Sequence, residues 1–178
     1  MTSVADAWAW YVATRDSLFR IRRIAEKHWT ELPWDAQSQF DRDDKLRVLE
    51  KDGIVEAANL GLQHFDDIAV LVLFSMFEAE VRRRVLAEIQ VEVDSVRHPA
   101  LRFSTAEAQR AIEEGSFFQV LEPYKPIGLA GLVEEVNQVR RYRNWVAHGR
   151  RATKPPEVNP KSAFDRLTRF LDAMSQVP

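Results

Sequence analysis

The chain has 178 residues, 46% hydrophobic and 29% charged, with a formal net charge of −2. That composition fills one ordinary core and is too apolar for a disordered chain. Cysteine is absent, which excludes disulfides, thiolate metal sites and a cysteine nucleophile and fits a reducing, cytoplasmic setting.

The opening MTSVADAWAWYVATRD has no basic start followed by an apolar run, so no leader is expected. Helical spacing of Trp8, Val12, Phe19 and Ile24 predicts a first helix from Ala5 to about Trp29. TELPWDAQSQFDRDD breaks that pattern at Pro33. A short helix over Asp44–Lys51 follows, with Gly53 as a turn residue. Asp41, Asp43, Asp44 and Glu50 lack the glycine that a calcium loop requires, and Arg42 interrupts them.

From Ile54 or later to about Val91 runs the strongest helical pattern. Its inward stripe is read as Ile68, Leu71, Val72, Ser75, Phe77, Val81, Val85 and Ile89, with Arg82, Arg83 and Glu88 outside. The uninterrupted apolar run Ile68–Phe77 is too short to span a bilayer and reads as the centre of a core helix. Pro99 is expected to end this helix. Ser104 and Glu107 then form a capping box for a helix closing on Gly115. SFFQVLEPYKP reads as a helical turn and a proline-marked loop. After Pro126 a further helix carries Leu129, Leu132, Val133, Val136, Val139 and Val146 and stops at Gly149. A loop with three prolines leads to a last helix with Phe164, Leu167, Phe170 and Leu171 inward. The expected fold is therefore a single all-α domain over 1–178, a bundle of about five to seven helices.

One segment departs from the mild overall charge. RRYRNWVAHGRR, Arg140 to Arg151, holds five arginines and one histidine and no acid. With Lys154, the span from Asn137 to Lys154 carries +6, leaving −2 − 6 = −8 for the rest. A local cationic patch on an acidic body suits an anionic ligand at one place, rather than DNA coating a whole face. Arginine's planar fork suits phosphate. A histidine at a helix C-terminus among arginines is pushed both ways, towards the imidazolium by the dipole and away from it by the cations. That combination is enough for metal-independent RNA cleavage, in which the ribose 2′-OH attacks its own phosphate. Arg143 and His148 are five residues apart, about 140° around an ideal helix, so one straight helix does not stack them. His28, His64 and His98 have no partners at metal-binding spacing and read as structural or exposed.

The stretch RNWVAH resembles the signature of the HEPN superfamily: an arginine, a polar residue, a short spacer and a histidine. Here these are Arg143, Asn144 and His148. LVEEVNQVRRYRN and the upstream LVLFSMFEAEVRRRVL are similar to the motif helix and the preceding core helix of its RiboL-PSP-HEPN group. The resemblance implies a helical bundle that forms a homodimer with the two motif helices together. It implies that Arg143 stabilises the scissile phosphate, His148 acts as acid or base and Asn144 orients both, with 2′,3′-cyclic phosphate products and no cofactor or metal. Arg140, Arg141, Arg150 and Arg151 would contribute to RNA binding as a group. The implied partners are RNA, tRNA among them, and a cognate antitoxin, in a toxin or phage-defence role without a membrane. Arg150 stands where one subgroup carries a modified tyrosine. On the residues alone, His148 before Gly149 reads first as a helix cap, and as an active-site residue only with the resemblance; Trp145 reads as core or dimer interface rather than a platform for a base. The competing function is a non-catalytic HEPN-like module that binds RNA, a nucleotide or a protein.

Overall fold

The computed structural model describes residues 1–31, 51–151 and 153–176. Among them every regular element is helical: α1 (Val4–Lys27), a 3₁₀ turn (Trp29–Glu31), α2 (Lys51–Ser95), α3 (Pro99–Glu114), α4 (Phe117–Leu121), α5 (Ala130–Ala147) and α6 (Pro160–Met174). The expected break at Pro33 and nearly all of the helix expected over Asp44–Lys51 lie outside the described residues. Two compact units are present, Met1–Trp8 with Ala69–Pro178, and Ala9–Ile68.

The larger unit holds the main core. Val70, Leu73, Phe74, Phe77 and Val81 of α2 meet Val133, Val136 and Val139 of α5 and Leu167, Phe170 and Met174 of α6. Phe117 of α4 closes the cluster edge-on, its centroid 5.7 Å from those of Phe74 and Phe77. Val4 and Ala7 at the start of α1 belong to this core, and Trp8 stacks on Phe164 at 4.9 Å.

In the smaller unit Tyr11 stacks on Phe65, and its hydroxyl donates to Asp66 Oδ1 at 2.7 Å. Burial and the Asp66 carboxylate push the Tyr11 phenol up to about 12. Arg22 reaches Asn59, and Gly61 lies against Leu18.

Several local expectations are corrected. Gly53 is not a turn residue, since α2 begins at Lys51 and the first turn tolerates glycine. The long helix α2 does end just before VRHPAL, at Ser95, but Pro99 also starts the next helix. It occupies the first turn of α3, where its missing N–H costs nothing, and the His98 ring caps the Ala100 N–H. Ser104 is therefore no N-cap, and its hydroxyl donates back to the Ala100 carbonyl inside the helix. The inward face of α2 is right at Phe77 and Val81, which are buried, but is shifted before them: Ile68 and Ser75 are exposed, while Ala69, Val70, Leu73 and Phe74 are buried. In α1, Val12 and Ile24 face out and the buried positions are Val4, Ala7, Tyr11 and Ala25. Arg82 does not simply look outward. It donates to the carbonyls of Ile112 and Gly115 at the end of α3 and to Glu78. By length and composition α2 could cross a membrane, but its apolar centre supplies Val70, Leu73, Phe74 and Phe77 to the core.

Candidate active site

The basic segment is placed by α5. Ile127 and Gly128 leave helical geometry, Gly128 with φ +96°, so the chain turns before α5 starts. Val133, Val136 and Val139 then anchor α5 in the core, and Tyr142 is the last residue of that buried stripe. Beyond it only Trp145 and Val146 pack, partly buried, against the core. The helix end is closed by a double hydrogen bond: Gly149 N–H donates to the Val146 carbonyl and Arg150 N–H to the Trp145 carbonyl. This is the glycine-dependent Schellman closure, with Gly149 at φ +69°. Arg150 follows in the same left-handed region at φ +61°, a strained position for a residue with a Cβ.

His148 is the C-cap, and its own N–H donates to the Asn144 carbonyl. Its side chain is exposed and makes no hydrogen bond among the described residues. The ring is thus not used to bond the last carbonyls, as a purely capping histidine would be. Beside it an open hollow of about 320 Å³ is lined by Arg141, Asn144, Trp145, His148, Thr153 and Pro155. The Arg150 guanidinium lies 5.4 Å from the Trp145 ring centroid, and the Lys154 ammonium 5.9 Å.

Arg143 is not among the residues that line this hollow. Its Nη1 donates to Asn144 Oδ1 at 2.9 Å, while its guanidinium lies 5.4 Å from the Phe74 centroid. Its Nη2 is 3.9 Å from Glu78 Oε2. Glu78 takes two closer hydrogen bonds from Arg82, at 2.8 and 3.2 Å, so its hold on Arg143 is the weaker one. Asn144 therefore ties Arg143 to the hollow that His148 borders. Arg143 and His148 do not meet within one chain: Arg143 faces Glu78 and Phe74, and only Asn144, which accepts from it, lines the hollow with His148.

The remaining cations divide. Arg141 lines the hollow and pairs with Glu134. Arg150 reaches it through Trp145, and Arg151 is exposed nearby. Arg140 is not among the hollow's residues. It bonds Asn137 Oδ1 and covers the Phe118 ring, and burial, followed by repulsion from Arg141, holds its pKa below the usual arginine value.

No family model, curated protein or solved structure matches this chain. A larger hollow of about 560 Å³ lies along α5 and α6, lined in part by Glu135, Lys161, Asp165, Arg166 and Arg169. Its charges largely satisfy one another, through the Lys161–Asp165 and Arg169–Glu135 pairs, and it holds none of the motif residues. Among the described residues no three His, Asp or Glu side chains converge as a metal group. Sequence reasoning missed Glu78, Thr153 and Pro155. Glu78 reads as an ordinary i,i+4 partner of Arg82 on α2, and nothing in the proline-rich loop marks it as passing beside His148.

Proposed function

We propose that this protein is a metal-independent endoribonuclease of HEPN type, acting as a homodimer with a composite cleft. The observation that supports the reading is the exposed, unbonded His148 ring on a hollow whose Asn144 is hydrogen-bonded to Arg143. An imidazole kept clear of structural hydrogen bonds is available for proton transfer.

In the proposed reaction the ribose 2′-oxygen attacks the adjacent phosphorus and the bond from phosphorus to the 5′-oxygen breaks. The 2′-OH proton passes to one His148, and the leaving 5′-oxygen takes a proton from His148 of the partner subunit. The products are a 2′,3′-cyclic phosphate and a 5′-hydroxyl. Arg143, loosely held by Glu78, turns towards the phosphorane and stabilises its extra negative charge. Asn144 steers that movement. Arg141, Arg150 and Arg151 attract the polyanion. Within this reading a toxin or phage-defence role, with tRNA among the substrates and a cognate antitoxin as partner, follows from the resemblance alone.

One observation favours the alternative, a non-catalytic binding module: Arg143 is already engaged by Asn144, Glu78 and the Phe74 ring, as a structural arginine is. Incubating total tRNA in EDTA with the wild type and with His148→Ala separates the two. Cleavage that is insensitive to EDTA and disappears in the variant establishes the enzyme. Intact RNA with both proteins, at concentrations where the dimer is formed, establishes the module.

A further inference from the structure

We propose that the hollow beside His148 captures one unpaired nucleobase, which makes single-stranded RNA the ligand class. The inference deepens the ribonuclease reading and rests on it for the role of His148, although base capture itself needs no cleavage.

The argument starts from the walls. Trp145 and Pro155 are flat and apolar, and Trp145 is half-buried against the core beside the Tyr142 ring, with Arg150 and Lys154 resting over it, so a base that stacks there displaces these two cations towards its own backbone. Aromatic faces of this kind take nucleobases by stacking, whatever the base. The polar lining suits a base edge. Asn144 Oδ1 is engaged by Arg143 Nη1, which fixes the amide orientation and leaves Nδ2 to donate to a base carbonyl or ring nitrogen. Thr153 adds a hydroxyl that both donates and accepts. The rim suits the backbone on either side of that base: Arg141 lines the hollow, and Arg150 and Lys154 lie against the Trp145 ring.

Other occupants fit less well. A phosphate alone would use the cations and leave the Trp145 and Pro155 walls without a function. An A-form duplex keeps its bases stacked inside, with a major groove too narrow for side chains, so no base edge would reach Asn144. An acidic peptide would find the cations but no use for a fixed amide donor beside a flat apolar wall. A base seated here places its own ribose next to His148, where the 2′-OH must lie for the proposed chemistry.

The test uses the full-length protein and a dye-labelled 2′-O-methyl oligonucleotide, which cannot be cleaved, read by fluorescence anisotropy. An abasic site is moved through the strand one position at a time. Removing the base that occupies the hollow should weaken binding about tenfold, as loss of one stacked base does. Trp145→Ala should weaken the intact strand by about the same factor and make the abasic scan flat. Because Trp145 also packs on the core, Trp145→Phe is the control: it should keep binding within about threefold and keep the abasic dependence. A flat abasic scan with wild-type protein overturns the inference, as does a duplex or a polyglutamate peptide that competes as well as the intact single strand. The two readings fail separately. Base-dependent binding without cleavage of the all-ribose strand leaves this site standing and removes the nuclease. Cleavage with a flat scan does the reverse.

Discussion

Replacing His148 by alanine tests both the exposure of the ring and the composite cleft. The side chain is exposed and unbonded among the described residues, so its removal should change stability by no more than about 0.5 kcal/mol. For a chain of this size that is a melting shift within about 2 °C. Loss of a general acid or base should reduce cleavage about 10²- to 10⁴-fold. The dimer requirement then gives a second number. If wild type is mixed with a tenfold excess of the variant and subunits exchange, about one wild-type chain in eleven finds a wild-type partner. A cleft that needs both histidines should lose activity per wild-type chain about elevenfold, and a self-contained site should lose none. The assay is cleavage of a labelled RNA in EDTA, with exchange verified by energy transfer between differently labelled chains. Unchanged activity per wild-type chain, with exchange demonstrated, would refute the composite cleft. A melting drop beyond about 4 °C would refute the reasoning on exposure.

The other expectations concern the supports of the site and the fold. Gly149→Ala forces a side chain into the left-handed region, where among the described residues beyond its own helix and chain neighbours the nearest atom to the new Cβ is Arg151 Nε at 4.0 Å. The cost is then backbone strain alone, about 1–2 kcal/mol, seen as a melting point lower by about 2–6 °C. Arg82→Gln removes donors from the Ile112 and Gly115 carbonyls. It should cost about 2–3 kcal/mol in urea unfolding and speed amide exchange in Pro99–Glu114. Tyr11 and Tyr124 are both pushed up to about 12, chiefly by burial, with Asp66 and Glu88 respectively adding to it. The folded state thus holds these protons more tightly than the unfolded chain. Their stabilisation is complete below about pH 10 and lost as pH rises through 12, about 1–2 kcal/mol for each after allowing for partial exposure. Urea midpoints across that range should fall, and less so in Tyr11→Phe. Replacing Arg150 and Arg151 by glutamine should lower the slope of log affinity against log salt for single-stranded RNA by about 1.4.

The all-helical class was legible because apolar spacing survives even where individual positions are misread. The rotation of the inward face in α1 and α2 has one cause. Alanines at Ala7, Ala25, Ala58 and Ala69 are buried and let helices approach closely, while larger residues such as Val12, Ile24 and Ile68 remain outside. A reading that ranks positions by hydrophobicity selects the second group. Helix ends set by glycine were easier. Gly149 closes α5 as its position suggested, because the αL closure needs a residue without a Cβ. The start of α3 was not legible in the same way: Ser104 and Glu107 make a sound capping box, and Pro99 with a histidine cap outcompeted it. At the site, the segment from Arg141 to Arg151 was found from composition and motif. The tie from Arg143 to Asn144 joins neighbours in sequence, yet one side of the hollow, Thr153 and Pro155, comes from a loop that carries no motif.

The charge count also changes meaning once side chains are placed. The +6 read between Asn137 and Lys154 overstates the field that a ligand meets. Arg141 pairs with Glu134, Lys154 with Glu157 at 3.2 Å, and Arg143 lies within 3.9 Å of Glu78. Arg140 is half-buried over Phe118. Exposed surface pairs of this kind are worth little to stability, so a phosphate can exchange for the carboxylate at modest cost. Each such exchange nevertheless returns part of what the new contact gains. A polyanion therefore gains less here than from as many unopposed arginines, and charge alone would leave binding weak and indifferent to sequence. In the proposed base capture, stacking on Trp145 would supply what the paired cations cannot, a contact that salt does not screen. If that division of labour holds, high salt should weaken binding without erasing its dependence on the base in the hollow.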